Sequence, residues 1–146
     1  MPSLTRAEAD ALGKGRRRRP PPRREQEIVR EILRYLATVP GVTAWRMNTG
    51  AMRAAHKGKM RLVRFGRPGT SDIIGWIETA VASDVSIGTR NIPRWFAVEV
   101  KRPGQKLTAA QTAFLDALEA AGGVAIRGAT CVEDVWRQFA ARSVMR

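Results

Sequence analysis

Cysteine and histidine are each present once in this chain of 146 residues. Cys131 alone excludes an internal disulfide and a cysteine-based metal site, and it reads as a small buried hydrophobe. His56, in a basic stretch containing glycine that reads as a loop, gives a serine or cysteine triad no oriented histidine to work with. Acids are scarce as well: 13 Asp and Glu stand against 26 Lys and Arg, a net charge of +13. Such an excess points to a polyanionic partner, either nucleic acid or an anionic membrane surface. No apolar run approaches the ~20 residues of a spanning helix, and the Met1-Pro2-Ser3 start lacks the apolar stretch of a secretory signal. The expectation is a cytoplasmic protein without a membrane partner, whose chemistry rests on acids.

With 44% hydrophobic residues, a chain of about 150 residues can bury roughly 70% of its unfolded surface in a single core. The composition divides it in two. Residues 1–24 hold eight Lys and Arg against two acids, a net of 8 − 2 = +6. Within them Arg16 to Arg19, Pro20 to Pro22, Arg23 and Arg24 combine like-charge repulsion with three prolines, which favours an extended, solvated arm over a packed element. Residues 25–146 carry the remaining 18 − 11 = +7 and read as one folded domain. The arm suits non-specific contact with phosphates, which needs charge and no fixed structure.

In the folded part, Trp95 to Val100 is rich in aromatic and β-branched residues and runs into the turn pair Pro103-Gly104, the pattern of a strand. Side chains two apart share a face, so Glu99 and Lys101 project together while Val98 and Val100 turn the other way. Asp72 lies between a Gly-containing turn and the apolar run Ile73 to Ile77. An edge-strand ion pair would account for Glu99 and Lys101 alone, at ~0 to 1 kcal/mol. Two carboxylates at the ends of buried strands repel one another and favour a hard divalent ion between them. A lysine beside such an ion can orient water and offset charge developing on a phosphate.

The remaining elements follow from periodicity. Glu25 to Thr38 predicts an amphipathic helix with Ile28, Val29, Ile32, Leu33 and Leu36 on one face, stopped by Pro40-Gly41. Glu27 and Glu31 border that face. Val42 to Asn48 predicts a strand with Arg46 and Asn48 on one side. Residues 51–68 carry Arg53, Lys57, Lys59, Arg61, Arg64 and Arg67 without an acid and read as a solvated loop able to serve as a phosphate rail; Arg102 and Lys106 extend the basic set. Residues 79–94 read as a polar loop or hairpin tip. Thr108 and Gln111 form a capping box ahead of Phe114, Leu115 and Leu118. Val124 to Arg127 predicts a short strand, and a last helix from Thr130 is expected to turn Val135, Trp136 and Phe139 inward. A mixed α/β sheet flanked by helices buries these faces.

Asp72 and Glu99-Val100-Lys101 resemble the Asp…Glu-x-Lys core of the PD-(D/E)XK nuclease superfamily. The surrounding words resemble its VRR-NUC branch: Arg46-Met47-Asn48-Thr49-Gly50, Gly69-Thr70-Ser71-Asp72, Glu99 to Gly104, Leu107-Thr108 and Gln111. Ser71 stands where that family often has proline. The resemblance spans roughly residues 25 to 128 and implies a restriction-endonuclease-like αβββαβ core. It further implies that Asp72, Glu99 and the Val100 carbonyl hold Mg²⁺ or Mn²⁺ with help from Glu27. Lys101 would position the attacking water, Gln111 would lie beside the site, and Arg46 and Asn48 would lie near the substrate phosphate. Small stand-alone members of phage or bacterial origin act as homodimers on branched DNA such as Holliday junctions, so the implied partner is branched DNA. A nuclease for flaps, nicks or duplex ends, and a catalytically silent nucleic-acid-binding protein, remain open.

Overall fold

The fold, taken from a computed structural model, is described for residues 23–82 and 89–142. The arm expected over residues 1–24 lies outside them except for Arg23 and Arg24. Helix α1 (Glu25–Leu36) forms where the sequence repeats apolar residues at helical spacing, and it buries Ile28, Val29, Ile32 and Leu36. Strands β1 (Val42–Arg46), β4 (Ile73–Ala82), β5 (Thr89–Val100) and β6 (Val124–Ala129) make a sheet in the order β1-β4-β5-β6. The first two pairings are antiparallel, and β5–β6 is parallel. A parallel pair needs a crossover, supplied by α2 (Ala109–Ala120). Helix α3 (Val132–Ala141) is the last element among the described residues.

Alternation along the strands divides the core into two layers. Ile73, Phe96, Val98, Val100, Val124 and Ile126 face α1 and α3. Ala97 and Ala125 face Leu115 of α2, with Ile74, Leu107, Phe114 and Leu118 packed around them. Phe96 meets Phe139 edge to face at 5.1 Å, the arrangement aromatic quadrupoles prefer. Gly75 allows this closeness, since a Cβ there would lie 2.3 Å from the Thr43 carbonyl oxygen and 2.7 Å from the Phe96 ring. The result is the expected mixed sheet flanked by helices, a restriction-endonuclease-like α/β fold whose αβββαβ core is α1, β1, β4, β5, α2 and β6.

Three expectations are corrected. Residues 51–68 are chiefly a β-hairpin, β2 (Gly50–His56) and β3 (Lys59–Phe65), forming a separate two-stranded sheet. Its two-residue turn, Lys57-Gly58, has φ of 48° and 73°, the primed geometry that matches strand twist. The stretch 79–94 is also largely strand: β4 and β5 stay paired from Ile73↔Val98 out to Ala82↔Thr89. Trp136 points outward and is 56% exposed, because the buried residues of α3 are Val135 and Phe139, four apart, and Trp136 is rotated off their stripe.

Candidate active site

Asp72 is delivered by a turn and locked by two strands. Thr70 N–H donates to the Arg67 carbonyl at 3.1 Å, and Gly69 takes φ of +84°. A Cβ on Gly69 would lie 2.5 Å from the Ala110 carbonyl oxygen, so the turn rests directly on the first residues of α2. The Asp72 carbonyl accepts from Met47 N–H just beyond β1 at 2.7 Å. Its side chain reaches across to β5, where Oδ2 accepts from Val100 N–H at 2.9 Å.

Glu99 sits where the β5–β6 register shifts between Val98 and Val100. Lys101 N–H then donates to the Ala129 carbonyl at 2.9 Å, fixing the residue after the strand. Glu99 and Lys101 share a side as their spacing requires: Lys101 Nζ donates to Glu99 Oε1 at 2.6 Å. Gln111 serves both helix and site. Its backbone N–H donates to Thr108 Oγ1 at 3.2 Å and its Oε1 accepts from Thr108 N–H at 2.9 Å, which completes the capping box. Its Nε2 donates to Glu99 Oε1.

This cluster is deeply enclosed, with Glu99 1% and Lys101 8% exposed. Burial pushes the Glu99 carboxyl above its ordinary value of 4.5, and the nearby Asp72 charge adds to the rise, while the hydrogen bond and charge of Lys101 oppose it. Glu99 Oε2 is buried without a hydrogen-bond partner. So is the hydroxyl of the fully buried Ser71, which is close enough to favour the Glu99 carboxylate but outside hydrogen-bond geometry. An unfilled acceptor on a buried carboxylate is costly, and a divalent cation would satisfy it. Among the described residues no group of three or more His, Cys, Asp or Glu gathers around a common point. Two acids still suit a magnesium-like ion, which keeps several waters and completes its octahedron with substrate phosphates.

The other expected residues divide by position. Glu27 is exposed, and its carboxylate accepts from Arg24 N–H at 3.1 Å, so its visible work is at the start of α1. Glu31 pairs with Arg23. Arg46 and Asn48 are exposed at the end of β1, beside the root of the β2–β3 hairpin. Arg53, Lys57, Lys59, Arg61 and Arg64 are exposed along that hairpin, Arg67 on the turn before Asp72, and Arg102 and Lys106 on the loop after Lys101. Sequence reasoning missed the Asp72–Val100 tie and the buried Ser71. For Ser71 the sole signal was its place in a motif, because a serine before an aspartate reads as ordinary turn chemistry.

Neither a curated protein nor a solved structure matches the chain. The VRR-NUC domain matches residues 21–128, a stretch that holds Asp72, Glu99, Lys101 and Gln111. That match covers well over half of the molecule and carries a nuclease-type, nucleic-acid-binding function with it. The chain belongs to the VRR-NUC domain family.

Proposed function

We infer that the chain is a Mg²⁺- or Mn²⁺-dependent endonuclease that hydrolyses phosphodiester bonds in structured DNA, with four-way junctions as its preferred substrate. The observation that carries this reading is the buried, unfilled Oε2 of Glu99, held beside Asp72 and Lys101. Asp72, Glu99 and the Val100 carbonyl would hold the ion, which when bound supplies Lewis-acid polarisation of the phosphate and a more acidic water. Glu27 is assigned a supporting role through water. Lys101 Nζ, fixed against Glu99 Oε1, is positioned to orient a water and to offset charge as it grows on phosphate oxygens. Gln111 restrains the Glu99 carboxylate through its amide, which donates to the same Oε1 as Lys101. Phosphoryl hydrolysis asks the protein mainly for positioning and charge stabilisation, and buried Glu99 with part-buried Asp72, each held by hydrogen bonds, would serve both.

Junction preference goes with a two-fold dimer, which would present two identical sites to symmetric strands. The apolar surface that supports a second copy is the open end of the sheet's α2-facing side. There Trp45, Trp76 and Trp95 meet edge to face at 5.4 to 6.1 Å, with Trp45 and Trp95 exposed. Sedimentation velocity is expected to give a dimer for the wild type and a monomer for Trp95→Glu.

The deciding assay incubates wild type and Lys101→Ala with labelled four-way junctions, flaps, duplex and single strands in Mg²⁺, Mn²⁺ or EDTA. Paired, metal-dependent cuts near the junction centre, absent from the variant, are expected. Equal cutting of every duplex would retain the nuclease and remove the junction preference. Binding without cutting in any metal would leave a silent DNA-binding protein.

A further inference from the structure

The β2–β3 hairpin is the most unusual surface on this molecule. A two-stranded ribbon is marginally stable alone in water, and no helix or strand of the described residues packs on this one to more than a marginal extent. It nevertheless exposes Met52, Met60, Leu62 and Val63, at 44% to 65%. Five cations, Arg53, Lys57, Lys59, Arg61 and Arg64, lie along it with no acid between residues 50 and 65. None of the five forms an ion pair among the described residues. Such a surface lacks a partner that is both anionic and partly apolar.

The register says how that partner is arranged. Met52 stands opposite Val63 and Ala54 opposite Arg61, so one face carries Met52, Val63, Arg61 and Lys59. Arg53 stands opposite Leu62, Ala51 opposite Arg64 and Ala55 opposite Met60, so the other face carries Arg53, Arg64, Leu62 and Met60. A ribbon lying flat on one row of phosphates would separate its cations from its apolar residues, one kind to each face. Here both faces carry both kinds, which fits a ribbon standing in a cleft with phosphates on either side and apolar matter between them. The major groove of B-DNA, about 12 Å wide, admits a two-stranded ribbon, has a phosphate row on each rim and offers thymine methyls to apolar side chains; the minor groove, about 6 Å wide, is too narrow.

The ribbon is also rooted where the chemistry is. It leaves β1 at Met47, whose N–H is bonded to the Asp72 carbonyl, and it returns through Arg67 on the turn that delivers Asp72. A cleft of about 370 Å³ at its root is lined by Thr49, Ala51, Arg64 and Pro68 among others. We propose that the β2–β3 ribbon inserts into the major groove of a duplex segment flanking the cleavage site, with cations of its two faces on opposite phosphate rims. The proposal deepens the nuclease reading and rests on it for the identity of the polyanion.

The test is a dimethyl sulfate footprint of the full chain on a duplex-armed DNA in EDTA, which probes guanine N7 in the major groove and adenine N3 in the minor groove. Wild type is expected to protect N7 on both strands over part of a helical turn and to leave N3 reactive. Arg53→Gln/Arg61→Gln removes one cation from each face. It should weaken binding at least tenfold at ~0.15 M salt and lower the slope of log K against log salt by about 2, and the N7 protection should vanish. Should that variant misfold, the wild-type contrast between N7 and N3 decides alone. Protection of N3, or binding with N7 fully reactive, overturns the proposal. So does a double variant that changes the sedimenting mass while binding DNA as before, since the ribbon would then be a protein contact. N7 protection by a chain that cuts nothing supports the ribbon and removes the nuclease; cutting with N7 reactive keeps the nuclease and overturns the ribbon.

Discussion

Glu99 is the residue on which the fold spends stability. Burial disfavours its charged form, and one of its oxygens finds no donor. A ligand that binds the native state alone stabilises it by about 2.7 kcal/mol at 100 times its Kd. Saturating Mg²⁺ or Mn²⁺ is therefore expected to raise the Tm of the wild type, with EDTA reversing the rise and Glu99→Gln abolishing it; an equal rise in the variant would remove Glu99 from the ion's ligands. Asp134 is the contrasting acid, placed for structure. Its Oδ2 accepts from Thr130 N–H at 2.9 Å and from Thr130 Oγ1 at 2.8 Å. The backbone bond above all, against the opposing cost of burial, holds its carboxyl below the ordinary 3.8. A depressed acid contributes stability that is present above the unfolded value and lost as pH falls through the folded one. Asp134→Ala should thus cost about 1 kcal/mol in urea unfolding at pH 7 through its lost hydrogen bonds, and the difference from wild type should close as pH falls below 3.8. A difference independent of pH would make it a packing effect.

At the scale of elements, legibility followed the strength of the local rule. A period of two placed Glu99 and Lys101 side by side, and a capping box placed Gln111 at the start of α2; both relations stand in the structure because each is enforced within a few residues. The β2–β3 ribbon was lost because the polar–apolar alternation of Lys59 to Leu62 breaks phase at Val63 and leaves cations on both faces; Lys57-Gly58 was the remaining signal, and a non-glycine residue at positive φ is uncommon. The long β4–β5 pairing was obscured by Pro93 and polar residues around it. Trp136 misled through its hydrophobicity, since only Val135 and Phe139 fall on the buried stripe. The turn before Asp72 depends on contact with a distant helix, which no local pattern reveals. Gly69→Ala should meet both a positive φ and the Ala110 carbonyl, costing roughly 1 to 3 kcal/mol. Cutting should fall with it, because the turn that carries Asp72 must shift. Wild-type stability and cutting in that variant would show that the turn gives way without moving the acid.

Across the whole molecule, charge and chemistry are organised separately. Glu99 and Lys101 are internal and Asp72 half-buried, all three held by hydrogen bonds, while the ribbon, the turn at Arg67 and the loop with Arg102 and Lys106 expose cations around that end of the sheet. Residues 1–24 add a net of 8 − 2 = +6 to this, while the hydrogen bonds described for Asp72, Glu99, Lys101 and Gln111 run among residues 47–129. Each phosphate contact on a duplex contributes about 0.9 to the salt slope, so removing residues 1–24 should lower the slope by at most about 7 and weaken binding most at low salt. Cleavage per bound complex should persist, because the described elements that hold the site begin with α1 at Glu25. Fluorescence anisotropy across a salt series, paired with single-turnover cutting, reads both quantities on the same preparation. An unchanged slope would mean that the arm never follows phosphates. Loss of single-turnover cutting at saturating protein would mean that the arm takes part in the site, and the division of the chain at residue 25 would have to be abandoned.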